Sequence, residues 1–548
     1  MYSPGTSTES AQSRSVIVTT GGIVASESAI ASQVGATLLA QGGNAVDAAV
    51  AVNAVMGVVA PHSNGIGGDL FALLYDARSA SYFGLNASGW SPQGLDLKEL
   101  AKRGLSAVPV KGILSVSIPG AVDGWNRLLD RFGKLDLSRV LGPAIQIAEQ
   151  GFVVTERSAV RWQENQGSLV GHARKILIPE DRTPRFGEIF RNHELAASLK
   201  RIASGGRDVF YRGEIADKII ALSETEGGLI EGDDLTGYES VWVDPIFTTY
   251  RNSKLYELPP NSTGIAALLM LNILEQFPLS KFGSNSPDAL HYLIEAKKLA
   301  YADMLQAVCD PDHLRVRLTD LLAKEYGAER AELIARNTAM EKAFAGEIPS
   351  YGGDTVYLSV VDRDGNMVSL IQSNYMNFGS GLMAEGTGFV LQNRANLFSS
   401  DPLHPNVVAG RKRPLHTILP AFLEIGGRRI AFGIQGGWNQ PLAHAQFVSN
   451  IVDHGMNLQA AMESPRFTKL TFDGVDVQVE SRIDPSIRQE LEQRGHSVEV
   501  EGAFSETMGG GQAVMREEST GVNHGASDPR KDGAAIPEPL FYDDRIVR

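Results

Sequence analysis

The chain has 548 residues, 43% hydrophobic and 21% charged, which excludes a disordered polymer and provides enough apolar surface for a large core. Its formal net charge of -14 is spread along the sequence, so neither nucleic acid nor an anionic membrane surface is an expected partner. Cys309 is the single cysteine; intrachain disulfides and thiolate metal clusters are excluded, and it reads as a buried apolar residue.

Residues 1–20 read as a flexible polar arm lacking the apolar core of a secretion signal. The longest apolar run, Ala45 to Ala60, is interrupted by Asp47 and Asn53 and is too short to span a bilayer, so a cytoplasmic location is expected. Two alanine-rich helices are predicted on either side of Gly42-Gly43-Asn44, with Asn44 as an N-cap and Ala48, Val52 and Val55 on one face. The following GIGGD lacks the full dinucleotide fingerprint and reads as a backbone turn near the site, while FALLYD and SYFGLNA read as strands. Residues 120–345 read as mainly helical, broken at Gly151, Gly205-Gly206 and Pro259-Pro260. Within them, HYLIEAKKLAYADM gathers Leu293, Ala296, Leu299 and Ala300 as the stripe of an amphipathic helix. From Arg330 to Gly353 the polar, turn-rich chain reads as an exposed linker.

The pattern changes at Thr355. TVYLSVVD and MVSLIQSNY alternate around an Asp364-Gly365 turn and predict a β-hairpin. Strand-like FLEIGG, RIAFGIQ and VDVQVE follow, with helices over Gln440 to Val452 and Ile487 to Arg494. Such alternation predicts an α+β sandwich of sheets covered by helices. The 11 histidines form no HExxH and no zinc-spaced cluster, and DRDGN lacks calcium-loop spacing, so no metal or organic cofactor is expected.

A threonine hydroxyl is a weak nucleophile until a base removes its proton, and a freed α-amine on the same residue supplies one. With a reference pKa of about 7.7–8.0, that amine is substantially neutral near physiological pH. Gly353-Asp354-Thr355, a strand start behind a linker, fits such chemistry; taken alone, a threonine there is usually just a β-branched residue on a pleat.

Ordered motifs decide between these readings. GGNAVDAAVA, GIGGD, SIPGAVDGW, FGKLDL, FYRGEIA, LPPNSTG, EAKKLAYAD, GDTVYLSVVDRDGN, FGSG, KRPLHT and IQGGWNQ resemble the γ-glutamyltransferase family over nearly the whole chain. The resemblance implies an αββα fold of the N-terminal nucleophile class and autocleavage between Asp354 and Thr355. A large subunit, 21–354 after the arm, and a small subunit, 355–548, would stay intertwined. It implies Thr355 as nucleophile, Ser373 as the hydroxyl that hydrogen-bonds it, and the Gly436-Gly437 N–H groups as oxyanion donors.

The sequence departs from the family's γ-glutamyl clamp. Ser88 stands where an arginine is expected, Tyr375 for an asparagine, Arg394 for a glutamine, Leu397 for an aspartate, and His416-Thr417 for a serine pair. Without the aspartate, a buried substrate ammonium would lack its countercharge; Arg394 instead suits a carboxylate, with Tyr375, His416 and Thr417 as further substrate contacts. This combination resembles the branch that includes oxamate amidohydrolase. The expected activity is hydrolysis of a small carboxylate-bearing amide, with γ-glutamyl hydrolysis or transpeptidation, or an uncleaved binding protein, as alternatives. The short stretch from Ser399 to Arg413 suggests an open pocket that admits water. Substrate, water and the two subunits are the expected partners, with a higher oligomer open.

Overall fold

The computed structural model describes residues 12–344 and 355–539. Two seven-stranded sheets stack face to face, each covered outside by helices, in the expected four-layer αββα order. The first sheet runs Ala534–Pro537, Ile23–Ser26, Val356–Val361, Met367–Ser373, Asp69–Asp76, Ser81–Ala87, Val241–Val243. The second runs Ile17–Thr19, Asn523–Ser527, Gly511–Glu517, Arg428–Ile434, Ala421–Ile425, Ser253–Glu257, Ile246–Tyr250. Each draws strands from both sides of Thr355, so a cut there would leave two pieces sharing both sheets.

Alternation along the strands builds the layers. Phe71, Leu73, Tyr357 and Ile371 point inward and meet Phe422, Ala431 and Val514 of the second sheet. Their neighbours Leu70, Ala72, Leu358 and Leu370 point outward to the helices Ala29–Ala40 and Ala45–Val59. Small side chains let these helices lie close: a Cβ at Gly35 would fall 2.6 Å from Val52. Asn44 caps the second helix as expected, accepting from the Val46 and Asp47 N–H groups while Asp47 accepts from Asn44 N–H at 2.8 Å.

Several expectations need correction. Of the arm, residues 1–11 lie outside the described residues, and Ile17–Thr19 is a strand paired with Asn523–Ser527. The mainly helical region contains five described strands: the ribbon of Phe152–Val153 with Ile189–Phe190, and Val241–Val243, Ile246–Tyr250 and Ser253–Glu257, which lie at or next to the edges of the two large sheets. The helix Pro287–Ala307 has no solvent stripe, because its charges pair inside: Lys298 Nζ lies 2.7 Å from Glu295 Oε1, and Lys297 donates to the Thr471 carbonyl. The described part of the linker is docked, with Ile334, Ala339 and Ala343 buried and Met340 N–H donating to Glu295; residues 345–353 lie outside the described residues. Cys309 is buried, and burial pushes its thiol up to about 11. Among the described residues, no helix is long and apolar enough to cross a membrane.

Candidate active site

The hairpin register pairs Val356 with Gln372, which sets Thr355 opposite Ser373. Thr355 Oγ1 donates to Ser373 Oγ at 3.2 Å, and both residues are buried. Tyr375 N–H donates to the same oxygen at 2.8 Å, as the chain turns through φ 74 at Tyr375. Asp354, the expected cleavage partner, lies outside the described residues.

The strand Asp69–Asp76 flanks the hairpin and pairs Asp69 with Ser373. Its approach requires glycine, since a Cβ at Gly68 would fall 2.5 Å from the Ser373 carbonyl oxygen. GIGGD therefore places Asp69 in the site as well as turning the backbone, a residue the sequence reading did not single out. Asp69 accepts from Gly89 N–H at 2.9 Å and Gln392 Nε2 at 2.6 Å, and its other oxygen lies 2.7 Å from His416 Nε2.

Arg394, fully buried, opens the short turn Arg394–Leu397. Its Nη1 donates to Thr417 Oγ1 at 2.8 Å, and its guanidinium sits 4.6 Å from the Tyr375 ring centroid. Nε lies 4.0 Å from Asp69, beyond hydrogen-bond reach, and both Nε and Nη2 lack hydrogen-bond partners. Burial lowers this guanidinium to about 10 against the opposing pull of Asp69 and Tyr375. Burial, reinforced by Arg394, pushes His416 down to about 4 despite Asp69, and burial raises the Tyr375 phenol to about 12. Tyr375, Arg394, His416 and Thr417 thus converge beside the Thr355–Ser373 pair. Ser88 is occupied elsewhere: its hydroxyl donates to Asn86 at 2.6 Å and accepts from Asn261 at 3.1 Å. Leu397 joins Tyr375, Met376, Leu415 and Trp438 in one apolar cluster.

Gly436 and Gly437 follow the strand Arg428–Ile434. Ser369 Oγ donates to the Phe432 carbonyl, and Gly433 lies so close to the Tyr357 ring that a Cβ would fall 2.4 Å from it. The chain therefore advances towards the Thr355 end before Gly436 turns at φ 141 and Gly437 at φ 57. They precede the helix Gln440–Val452, whose N-terminal end favours negative charge.

The expected openness is not met in the uncleaved chain, where Thr355, Tyr375, Arg394, His416 and Thr417 are each at most 2% exposed. The short 399–413 stretch is folded down: Asn406 donates to the Leu397 carbonyl at 2.7 Å and accepts from Leu415 N–H at 3.0 Å.

Among the described residues, one group, His291, Glu295 and His496, brings potential metal-ligand atoms within 4.8 Å of one another. It is engaged as a polar clamp. The two imidazoles hydrogen-bond at 2.8 Å, and Lys298 Nζ already occupies Glu295. Burial, with His291, Lys298, Lys469 and Arg494, pushes His496 down to about 3, so an added cation would meet positive charge.

The family model of gamma-glutamyltranspeptidase matches residues 31–538. The glutathione hydrolase-like YwrD proenzyme of Bacillus subtilis (strain 168) is 37% identical over 527 residues, covering 95% of this chain and 99% of that one. The oxamate amidohydrolase proenzyme of Klebsiella pneumoniae subsp. pneumoniae is 33% identical over 531 residues, covering 94% and 98%. The crystal structure of cephalosporin acylase from Bacillus halodurans superposes with a TM-score of 0.91 at 37% identity, covering 99% of this chain and 100% of that one. With matching motifs, layers and hairpin, this chain belongs to the gamma-glutamyltranspeptidase family and has its N-terminal-nucleophile hydrolase fold.

Proposed function

We propose that the chain cleaves itself between Asp354 and Thr355 and then hydrolyses the amide bond of a small, carboxylate-bearing substrate. Residues 21–354 form the large subunit and 355–548 the small one. The freed Thr355 amine takes the proton from Oγ1, which attacks the substrate carbonyl while Gly436 and Gly437 N–H groups receive the oxyanion. The proton passes to the departing amine. Water, deprotonated by the same α-amine, then attacks the acyl ester, releasing the acid and restoring the hydroxyl. Ser373 orients Thr355, and Arg394, supported by Tyr375 and Thr417, anchors the carboxylate.

The observation that carries this reading is Arg394: a buried guanidinium with two donors lacking hydrogen-bond partners, next to a leucine-lined cluster. A planar donor edge matches a carboxylate, whereas that cluster offers no countercharge for a γ-glutamyl ammonium. The oxamate amidohydrolase relative supports the same class, since oxamate joins a primary amide directly to a carboxylate. The glutathione hydrolase-like relative favours a second reading, γ-glutamyl hydrolysis. Rates on oxamate and on γ-glutamyl-p-nitroanilide separate them. A higher kcat/KM for oxamate that collapses in Arg394→Met supports the first; preference for the anilide, insensitive to Arg394, supports the second.

A further inference from the structure

Asp69 ties together two of the positions at which this site departs from a γ-glutamyl clamp, Arg394 and His416. Its fully buried carboxyl group accepts at Oδ1 from Gly89 N–H and Gln392, and its Oδ2 lies 2.7 Å from His416 Nε2. A carboxylate engaged in this way offers acceptors only, so the shared hydrogen resides on His416 Nε2 and leaves Nδ1 as a lone pair. Towards Arg394 the same oxygen stands 4.0 Å from Nε. That separation supplies countercharge without consuming a donor, since Arg394 keeps Nε and Nη2 unpartnered while Nη1 is tied to Thr417.

We propose that Asp69 is a positioning residue: its carboxylate fixes the orientation of His416 and supplies the countercharge beside the buried Arg394 guanidinium, whose free edge stays available to a substrate carboxylate. This inference rests on the reading of Arg394 as substrate anchor. The titratable groups facing Arg394 are Asp69 from the strand Asp69–Asp76, Tyr375 beyond the hairpin, and His416 from the segment before Ala421–Ile425. With the phenol raised to about 12 and the imidazole lowered to about 4, Asp69 is the one carboxyl group of the three. Burial has already brought Arg394 down to about 10; removing the Asp69 charge lowers it further.

The test compares wild type, Asp69→Asn, Asp69→Glu and Arg394→Met in steady-state hydrolysis of oxamate from pH 6 to 10.5, beside the protonation midpoint of Arg394 read from its Nε–H signal in 15N-arginine-labelled protein. In Asp69→Asn we expect KM to rise about tenfold with kcat changing less, and the alkaline rise of KM to begin about one pH unit earlier. Asp69→Glu, which retains the charge, should return the alkaline rise towards the wild-type position. A role confined to packing would lower stability and leave that rise where it is. Wild-type KM, alkaline rise and midpoint in Asp69→Asn would overturn the proposal. If Arg394→Met hydrolyses oxamate like wild type, the anchor reading itself fails. The NMR midpoint needs neither cleavage nor turnover: a lower midpoint in Asp69→Asn still supports the countercharge, and an unchanged one overturns it.

Discussion

Ser373→Ala removes a single oxygen that two buried groups share. Ser373 Oγ accepts from Thr355 Oγ1 at 3.2 Å and from Tyr375 N–H at 2.8 Å. Its loss removes one hold on the nucleophile and deprives the Tyr375 N–H of this acceptor at a left-handed backbone position. A buried donor stripped of its acceptor costs about 1–3 kcal/mol, which sets the expected loss of stability. Because each 1.4 kcal/mol of misplaced orientation is about tenfold in rate, we expect self-cleavage to slow about 10- to 100-fold. Fragment appearance on a denaturing gel at neutral pH gives the rate, and the urea midpoint gives the stability. Ser373→Thr restores the hydroxyl and should recover most of the cleavage rate. Wild-type cleavage and an unchanged midpoint in Ser373→Ala would refute an orienting role for this oxygen.

Gly436→Ala places a side chain at φ 141, with its Cβ 3.3 Å from Gly509 Cα; the displaced N–H should lower kcat about 10²- to 10³-fold, and a mutant with wild-type kcat would remove Gly436 from the oxyanion site. His416 links pH to stability, because its imidazole titrates at about 4 in the fold against 6.5 unfolded. The unfolded chain takes the proton first, so the contribution is full above pH 6.5 and is lost as pH falls towards 4, by about 3 kcal/mol. His416→Gln should therefore flatten the fall in urea midpoint between pH 7 and 4.5; an unaltered slope would contradict this. Lys298→Met leaves the Glu295 carboxylate without its buried cation, and a loss of about 3–5 kcal/mol is expected by calorimetric or urea unfolding; a loss below 1 kcal/mol would show that the pair is dispensable.

Much of the fold was legible because its signals are local. Asn44 caps its helix, Asp364-Gly365 turns the hairpin, and alternation around Tyr357 and Ile371 assigns opposite faces. The hairpin Ile246–Tyr250 with Ser253–Glu257 was hidden because its place in the sheet is decided by residues far away, those of Ala421–Ile425 that pair with Ser253–Glu257. The helix Pro287–Ala307 looked amphipathic because a sequence cannot show that Lys298 and Glu295 satisfy each other inside the core. In the candidate site, motif order pointed to Thr355 and Ser373, and substitutions against the family pattern pointed to Tyr375, Arg394 and His416. Asp69 escaped since glycines drew the reading of GIGGD towards its turn; the acidic residue closing that motif was the available signal. Docking of the 399–413 stretch depends on Asn406 bridging Leu397 and Leu415, a tertiary contact that segment length does not encode.

The most direct measurement is intact mass under denaturing conditions, comparing wild type with Thr355→Ala after incubation at neutral pH. We expect two wild-type fragments that meet between Asp354 and Thr355, and a single full-length mutant chain. A wild-type chain that stays whole, or a Thr355→Ala chain cut at the same bond, would contradict Thr355 as the nucleophile that frees itself.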